Sequence, residues 1–95
     1  MVVGVCQMRL SIHAVFSLKE KRGIVRRITG RVRAKFQVAI AEVDDNDLLT
    51  SAVIGICAVG NDRAFINSVL DKVIRFIDEL YLAEVVDQQI EIMNM

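Results

Sequence analysis

An α+β sandwich is the fold class this chain predicts, on three observations. The first fifteen or so residues alternate with period two, two later stretches carry apolar residues at helical spacing, and further strand-like runs separate and follow them. Taken in order the elements read β-α-β-β-α-β, with no proline and no linker-like stretch in 95 residues, so one domain spans residues 1–95. With both helices amphipathic on one side, that order predicts a ferredoxin-like sandwich. Right-handed crossovers then set the strands as 4-1-3-2, every neighbour antiparallel, with two helices on one face.

The first strand is expected within residues 2–16. Val2, Gly4, Cys6, Met8, Leu10, Ile12, Ala14 and Phe16 share the face that meets the helices; Val3, Val5, Gln7, Arg9, Ser11 and His13 share the other. Ser17 opens the first helix, and Glu20 three residues on completes a capping box in which each side chain satisfies an orphaned backbone N–H. At about 100° per residue, Leu18, Ile24, Val25, Ile28, Val32 and Phe36 gather on one side of that helix. A second strand is expected from Lys35 to Val43, then an acidic turn with a short helical turn at Asp47–Thr50. Ala52–Val59 is apolar enough to be a central strand. Asn61 or Asp62 caps a second helix whose stripe runs Ile66, Val69, Leu70, Val73, Ile74, Ile77 and Leu80. A last strand covers about Ala83–Met93, Val86, Ile90 and Ile92 alternating with Asp87, Gln89 and Glu91.

Charge is the feature that points beyond the fold. The chain is formally neutral, yet residues 1–41 hold nine bases and one acid, and residues 42–95 three bases and eleven acids. Eight of the bases lie between Ser17 and Lys35. Lys19, Arg22, Arg26 and Arg33 form one cationic stripe beside the apolar seam; Arg27, Arg31 and Lys35 form a second on the opposite flank. Gly23 and Gly30 lie between the stripes, where a glycine costs about 1 kcal/mol relative to alanine; the two readings are close approach of a partner's backbone and tolerance, with tolerance preferred. Cations so arrayed neutralise phosphates and release counterions, giving salt-sensitive binding without sequence preference. The competing expectation is that they pair with acids such as Glu42, Asp44 and Asp47, or with another subunit.

The other candidates carry less. Cys6 and Cys57 stand far apart with no second ligand near either, so they read as small core residues and not as a metal or redox motif. His13 is the only histidine and reads as a surface strand residue. The acids at Glu42–Asp47 lack the glycine and distal glutamate of a calcium loop. No phosphate-loop, dinucleotide or nucleophile-elbow pattern occurs, and the expectation is a non-enzyme without cofactor or metal. No aromatic falls within the body of the first or third strand, which argues against base stacking on the sheet as RNA-recognition modules of this topology do it. Val3, Val5, Ala39, Ala41 and Val43 leave an apolar patch on that face, an expected homo-oligomer contact, while Arg9 is expected to pair with Glu91 or Asp87. No apolar run is long enough to span a bilayer and MVVGVCQMRL has no signal-peptide pattern, so the expectation is a cytoplasmic protein without membrane contact.

Four segments, SLKEKR (17–22), AEVDDND (41–47), AVIGICAV (52–59) and VLDKVIRFIDE (69–79), in that order resemble the YlxP-like family of small bacterial proteins, over nearly the whole chain. The resemblance implies a ferredoxin-like fold in a family without an established activity, whose genes often lie among those for translation initiation and ribosome maturation. Members often carry an aromatic where this chain has Leu49. It supplies no catalytic residue. Sequence and resemblance together lead to the expectation of a module that binds structured RNA through Lys19, Arg22, Arg26 and Arg33. The alternative is a self-associating interaction domain with no nucleic-acid ligand.

Overall fold

The computed structural model describes every residue from Met1 to Met95. Strands β1 (Val2–Ser11), β2 (Ala39–Asp44), β3 (Ser51–Gly60) and β4 (Glu84–Asn94) form one antiparallel sheet in the order β2-β3-β1-β4. Helices α1 (Leu18–Lys35) and α2 (Arg63–Glu79) cover one face of it. Read from the other edge, this is the expected 4-1-3-2 arrangement.

The period-two pattern of β1 decides what is buried. Val2, Cys6, Met8, Leu10 and Ile12 are sealed under the helices, with Ala52, Ile54, Ile56 and Ala58 of β3 beside them. From above come Val25, Ile28 and Val32 of α1 and Ile66, Leu70, Val73 and Ile77 of α2. Each of the Val, Ile, Leu and Met side chains among them contributes roughly 1.5–3 kcal/mol by leaving water, so this layer outweighs any surface interaction. Gly4 is where α2 comes closest. A Cβ there would overlap Ile66 Cγ2 and stand 2.9 Å from Leu70 Cδ1.

Several local expectations need correction. Helix α1 continues through Lys35, so β2 begins at Ala39; the Phe36 N–H caps the helix on the Val32 carbonyl (2.8 Å). Phe36 packs edge-on against Phe76 at 5.5 Å between ring centres, a contact that favours ending the helix over extending the strand. No helical turn forms at Asp47–Thr50; Leu48 N–H instead closes a turn on the Asp45 carbonyl (3.0 Å). Strand β1 stops at Ser11, so His13 sits in the connection that follows. In β4 the register shifts between Arg9 and Leu10, which pair with Asp87 and Val85. That bulge turns Val85 toward the core in place of the expected Val86, which is left exposed. Asp62, not Asn61, caps α2, accepting from Ala64 N–H at 3.1 Å.

Ser11 pairs with both Ser51 and Glu84, so three connections leave the sheet at one end: β1–α1, β2–β3 and α2–β4. Each contains a non-glycine residue in the left-handed region, Ala14 (φ 58°), Asp45 (φ 59°) and Tyr81 (φ 55°).

Candidate nucleic-acid interface

Ser17 starts α1 by accepting from the Glu20 N–H (3.1 Å), and the Glu20 carboxylate meets the Ser17 hydroxyl (3.4 Å) rather than the cap's N–H. From there the helix presents its seam to the core and its cations elsewhere. Lys21 is the exception. It is fully buried, its Nζ 2.8 Å from Glu42 Oε2 and 2.6 Å from the Asp45 carbonyl.

A second bulge follows directly on that pair. Glu42 lies opposite Ile54 and Asp44 opposite Val53, leaving Val43 as the extra residue of β2. Glu42, two residues on from buried Ile40, is on the core side of the strand by simple alternation, while Val43 lies over Gly55 with Cγ1 2.9 Å from where a Cβ would be. Two of the segments that carried the resemblance, SLKEKR and AEVDDND, thus meet at one point. Arg22 Nη2 reaches to 4.0 Å from Asp47 Oδ1 across the same junction, both groups well exposed, a pair worth little in water.

The four expected contact residues differ in what they have free. Lys19 is exposed and no carboxylate lies within ion-pair distance of it. Arg26 donates Nε to the Arg22 carbonyl of its own helix (3.3 Å), which leaves its terminal nitrogens outward. Arg22 has only the long contact to Asp47. Arg33 is tied down, its Nη2 donating to the Ile40 carbonyl (2.8 Å) and clamping the end of α1 to β2. On the other flank Arg27 and Arg31 are exposed and without ion-pair partners. Lys35 Nζ stands over the Phe76 and Phe36 rings at 4.7 and 5.7 Å. Gly23 and Gly30 have nothing within 4 Å of a Cβ position, so the outer face of the helix is bare at those two points, with Arg26 and Arg27 between them.

Lys21 was within reach of the sequence. Extending the stripe Val25, Ile28, Val32 one step toward the N-terminus lands on it, at spacing i−4. Arg27 and Arg31 needed the structure, because only the fold decides which flank faces water.

The uncovered sheet face is a shallow concavity of about 830 Å³, lined by Val5, Ala39, Ala41, Val43, Cys57 and Gln89 among others. Val43, Val59 and Met93 are exposed. Register sets Arg9 opposite Asp87, and Glu91 opposite Val5, but no ion pair of Arg9 closes to 4.0 Å. Cys6, on the core side, has its thiol pushed up to about 11 by burial, with the charge of Asp71 adding to the effect. Cys57 is on the opposite face, one strand away. His13 Nε2 lies 3.2 Å from Glu84 Oε2. No group of three or more His, Cys, Asp or Glu could hold a metal ion, and no helix is long and apolar enough to cross a membrane.

Residues 3–90 match the family described as "Protein of unknown function (DUF503)". The chain is similar to a Bacillus subtilis (strain 168) protein named "Uncharacterized protein YlxP", at 36% identity over 77 residues, 81% of this chain and 84% of that one. Among solved structures it is similar in fold to a structural-genomics protein, YJCS, with TM-score 0.54 and 12% identity, covering 97% of this chain and 99% of that one. The de novo designed protein Foldit4 gives 0.53 and 15%, covering 99% and 97%. At these identities the structural likenesses concern the fold alone.

Proposed function

The chain belongs to the DUF503 family, whose description names no activity, and we propose from its own surface that it is a non-enzymatic module binding structured RNA through α1. The observation that carries this reading is the outer face of α1, open at Gly23 and Gly30 and flanked by exposed Lys19, Arg22 and Arg26 on one side and Arg27 and Arg31 on the other. A phosphate backbone can approach such a face to contact distance with guanidinium groups on both sides of it. Arg33 contributes through position, holding the helix end to β2, more than through a free charge. Neutralised phosphates, not base edges, supply the affinity, and a role in ribosome maturation or translation, in the cytoplasm, fits such chemistry. The protein needs no cofactor for it.

The test is binding of a labelled RNA hairpin across a salt series. On duplex nucleic acid each neutralised phosphate adds about −0.9 to the slope of log K against log salt. Changing Lys19, Arg22, Arg26 and Arg33 together to Glu should flatten that slope and weaken binding. Affinity indifferent to salt and to the substitutions would end the proposal.

A second reading, self-association as a homodimer, is favoured by the apolar concavity of the open sheet face. Sedimentation of the wild type against Val5→Glu separates the two, since that residue lines the concavity, on the sheet face opposite the helices. A protein that stays monomeric at tens of micromolar, roughly −6 kcal/mol of association or weaker, counts against the dimer.

A further inference from the structure

We infer that the outer edge of β4 docks an extended basic peptide of a partner protein, which adds beside it as a fifth strand. This surface lies at the far side of the sheet from β2 and α1, and it works without RNA. The direction of its backbone groups follows from the chain ends. Met1 and Met95 exchange two bonds, the N-terminal ammonium to the Met95 carbonyl (2.8 Å) and the Met95 N–H to the Met1 carbonyl (2.7 Å). In an antiparallel ladder such pairs alternate with pairs whose groups turn away from each other. Counted along the register, Val3–Met93, Val5–Glu91 and Gln7–Gln89 also exchange bonds, so Gln88, Ile90 and Ile92 direct theirs outward. Arg63 of α2 accordingly reaches the Ile92 carbonyl (3.2 Å), and the Gln88 N–H turns to the Asp87 carboxylate (2.8 Å). Between those two contacts the Gln88 carbonyl, both groups of Ile90 and the Ile92 N–H have no partner in the chain. They match one antiparallel strand. The residue opposite Ile90 exchanges two bonds, and those two positions to either side of it meet Gln88 and Ile92.

The opposite edge is closed to such a strand. β2 has 6 residues against 11 in β4, is bulged at Val43, and has its Ile40 carbonyl held by Arg33 of α1 (2.8 Å). Exposed edges are commonly protected by lysine, proline, a bulge or a covering element. β4 contains neither lysine nor proline, and its bulge at Val86 lies before the open stretch.

Charge and alternation select the occupant. Residues 63–94 hold six acids and three bases, and β4 itself has Glu84, Asp87 and Glu91 with no base. Asp87 and Glu91 are exposed on the open face, with no cation within ion-pair distance. On the helix side, the groove between α2 and β4 is lined by Asp71 and Asp78, with Arg75 as its one cation. Ile90 and Ile92 are half-buried on that side and leave apolar surface at the edge. A fifth strand that covers them therefore carries aliphatic residues on the helix side and lysine or arginine on the other, toward Asp87 and Glu91. A second copy of β4 does not meet this requirement, because its only charges are acids.

The experiment follows backbone amides of the isotope-labelled full chain by NMR while a short capped peptide of alternating lysine and valine is titrated in. Two further peptides serve as controls, one with its valine backbone nitrogens methylated and one with glutamate in place of lysine. In the free protein the outward Ile90 and Ile92 amides should exchange with water faster than those of Gln89 and Glu91. Near saturation with the lysine–valine peptide, the Ile90 and Ile92 amides should slow roughly tenfold or more. The methylated peptide should bind about two- to tenfold more weakly for each backbone bond it loses, and the glutamate peptide should not bind. Asp87→Lys/Glu91→Lys should weaken the parent peptide roughly two- to thirtyfold, as two exposed pairs are lost. Equal binding of the methylated and parent peptides overturns the fifth strand, since charge alone would then hold the peptide. Undiminished binding by the charge variant overturns it as well. So does binding that leaves the Ile90 and Ile92 amides exchanging as in the free protein. Protection of those two amides that grows with protein concentration alone would give the edge to a second copy and end the proposal.

Discussion

Replacing Lys21 with methionine should cost far more than replacing any other cation of α1. Methionine keeps most of the aliphatic stem, so packing loss is small and the perturbation is electrostatic. The ammonium has two partners, Glu42 Oε2 at 2.8 Å and the Asp45 carbonyl at 2.6 Å, and the Glu42 side chain is only 12% exposed. Removing the cation leaves a carboxylate away from water with its charge unmatched, a situation that costs about 3–5 kcal/mol. Domains of this size have about 5–15 kcal/mol in total, so the single change removes a large share. In urea, with a slope of about 1.5 kcal/mol/M, the midpoint should fall by about 2–3 M at unchanged slope. Lys21→Met/Glu42→Leu removes both charges and should recover much of the loss, giving a coupling energy well outside additivity. A cost below about 1 kcal/mol for the single substitution, as an exposed pair would give, would refute the buried pairing. A double variant no more stable than the single would refute it equally. RNA affinity should be untouched in whatever Lys21→Met protein remains folded, because this charge does not reach the surface.

Gly23→Ala and Gly30→Ala should each stabilise by up to about 1 kcal/mol, since a Cβ meets nothing there, whereas Gly4→Ala should destabilise by about 1–3 kcal/mol by pushing α2 off β1. Thermal unfolding of the three decides it, and a harmless Gly4→Ala would contradict the packing. Cys57 should be modified in the native protein by a polar thiol reagent and Cys6 only after unfolding; equal native rates would refute the assignment of the two thiols to opposite faces. The Cys6 thiol is raised from 9.0 to about 11. Its neutral form is therefore favoured in the folded state, a stabilisation complete below pH 9 and lost as pH climbs toward 11. Cys6→Ala should lessen that alkaline decline, measured as the difference between the two denaturation curves, and identical curves would remove Cys6 as its source.

The fold was legible because burial is periodic. The even residues of β1 and the α2 stripe from Ile66 to Ile77 read directly as core, and strand order followed from connection handedness. Bulges were not legible. Nothing in VVD or EVD announces that Val86 and Val43 are the extra residues, yet the first of those insertions decides that Val85 faces inward. At the candidate site the charge of α1 was plain, while the fate of each tip was not. Arg33 differs from Arg26 and Arg31 through the β2 carbonyl set opposite it, and Lys21 through its place on the buried seam, where Glu42 and the Asp45 carbonyl meet it.

Strand order explains why a neutral protein keeps a cationic helix unneutralised. The acids that balance α1 in number sit mostly on α2 and β4, in Asp71, Asp78, Glu79, Glu84, Asp87 and Glu91. Helix α1 packs along β2 and α2 packs over β1, β3 and β4. The order β2-β3-β1-β4 sets the acid-rich last strand at the sheet edge farthest from β2. Across a sheet of four strands some 4.8 Å apart, the edges are separated by more than a Debye length at physiological salt, so the acids of β4 cannot screen the guanidinium groups beside β2. Only the β2–β3 turn carries acids to α1, and it uses them on Lys21 and, weakly, on Arg22. Moving charge within this framework should therefore change binding in a position-dependent way. Acids introduced on β2 at Ala39 or Ala41 should weaken RNA binding, while an added acid on β4 at Gln88 should not, although both leave the same net charge.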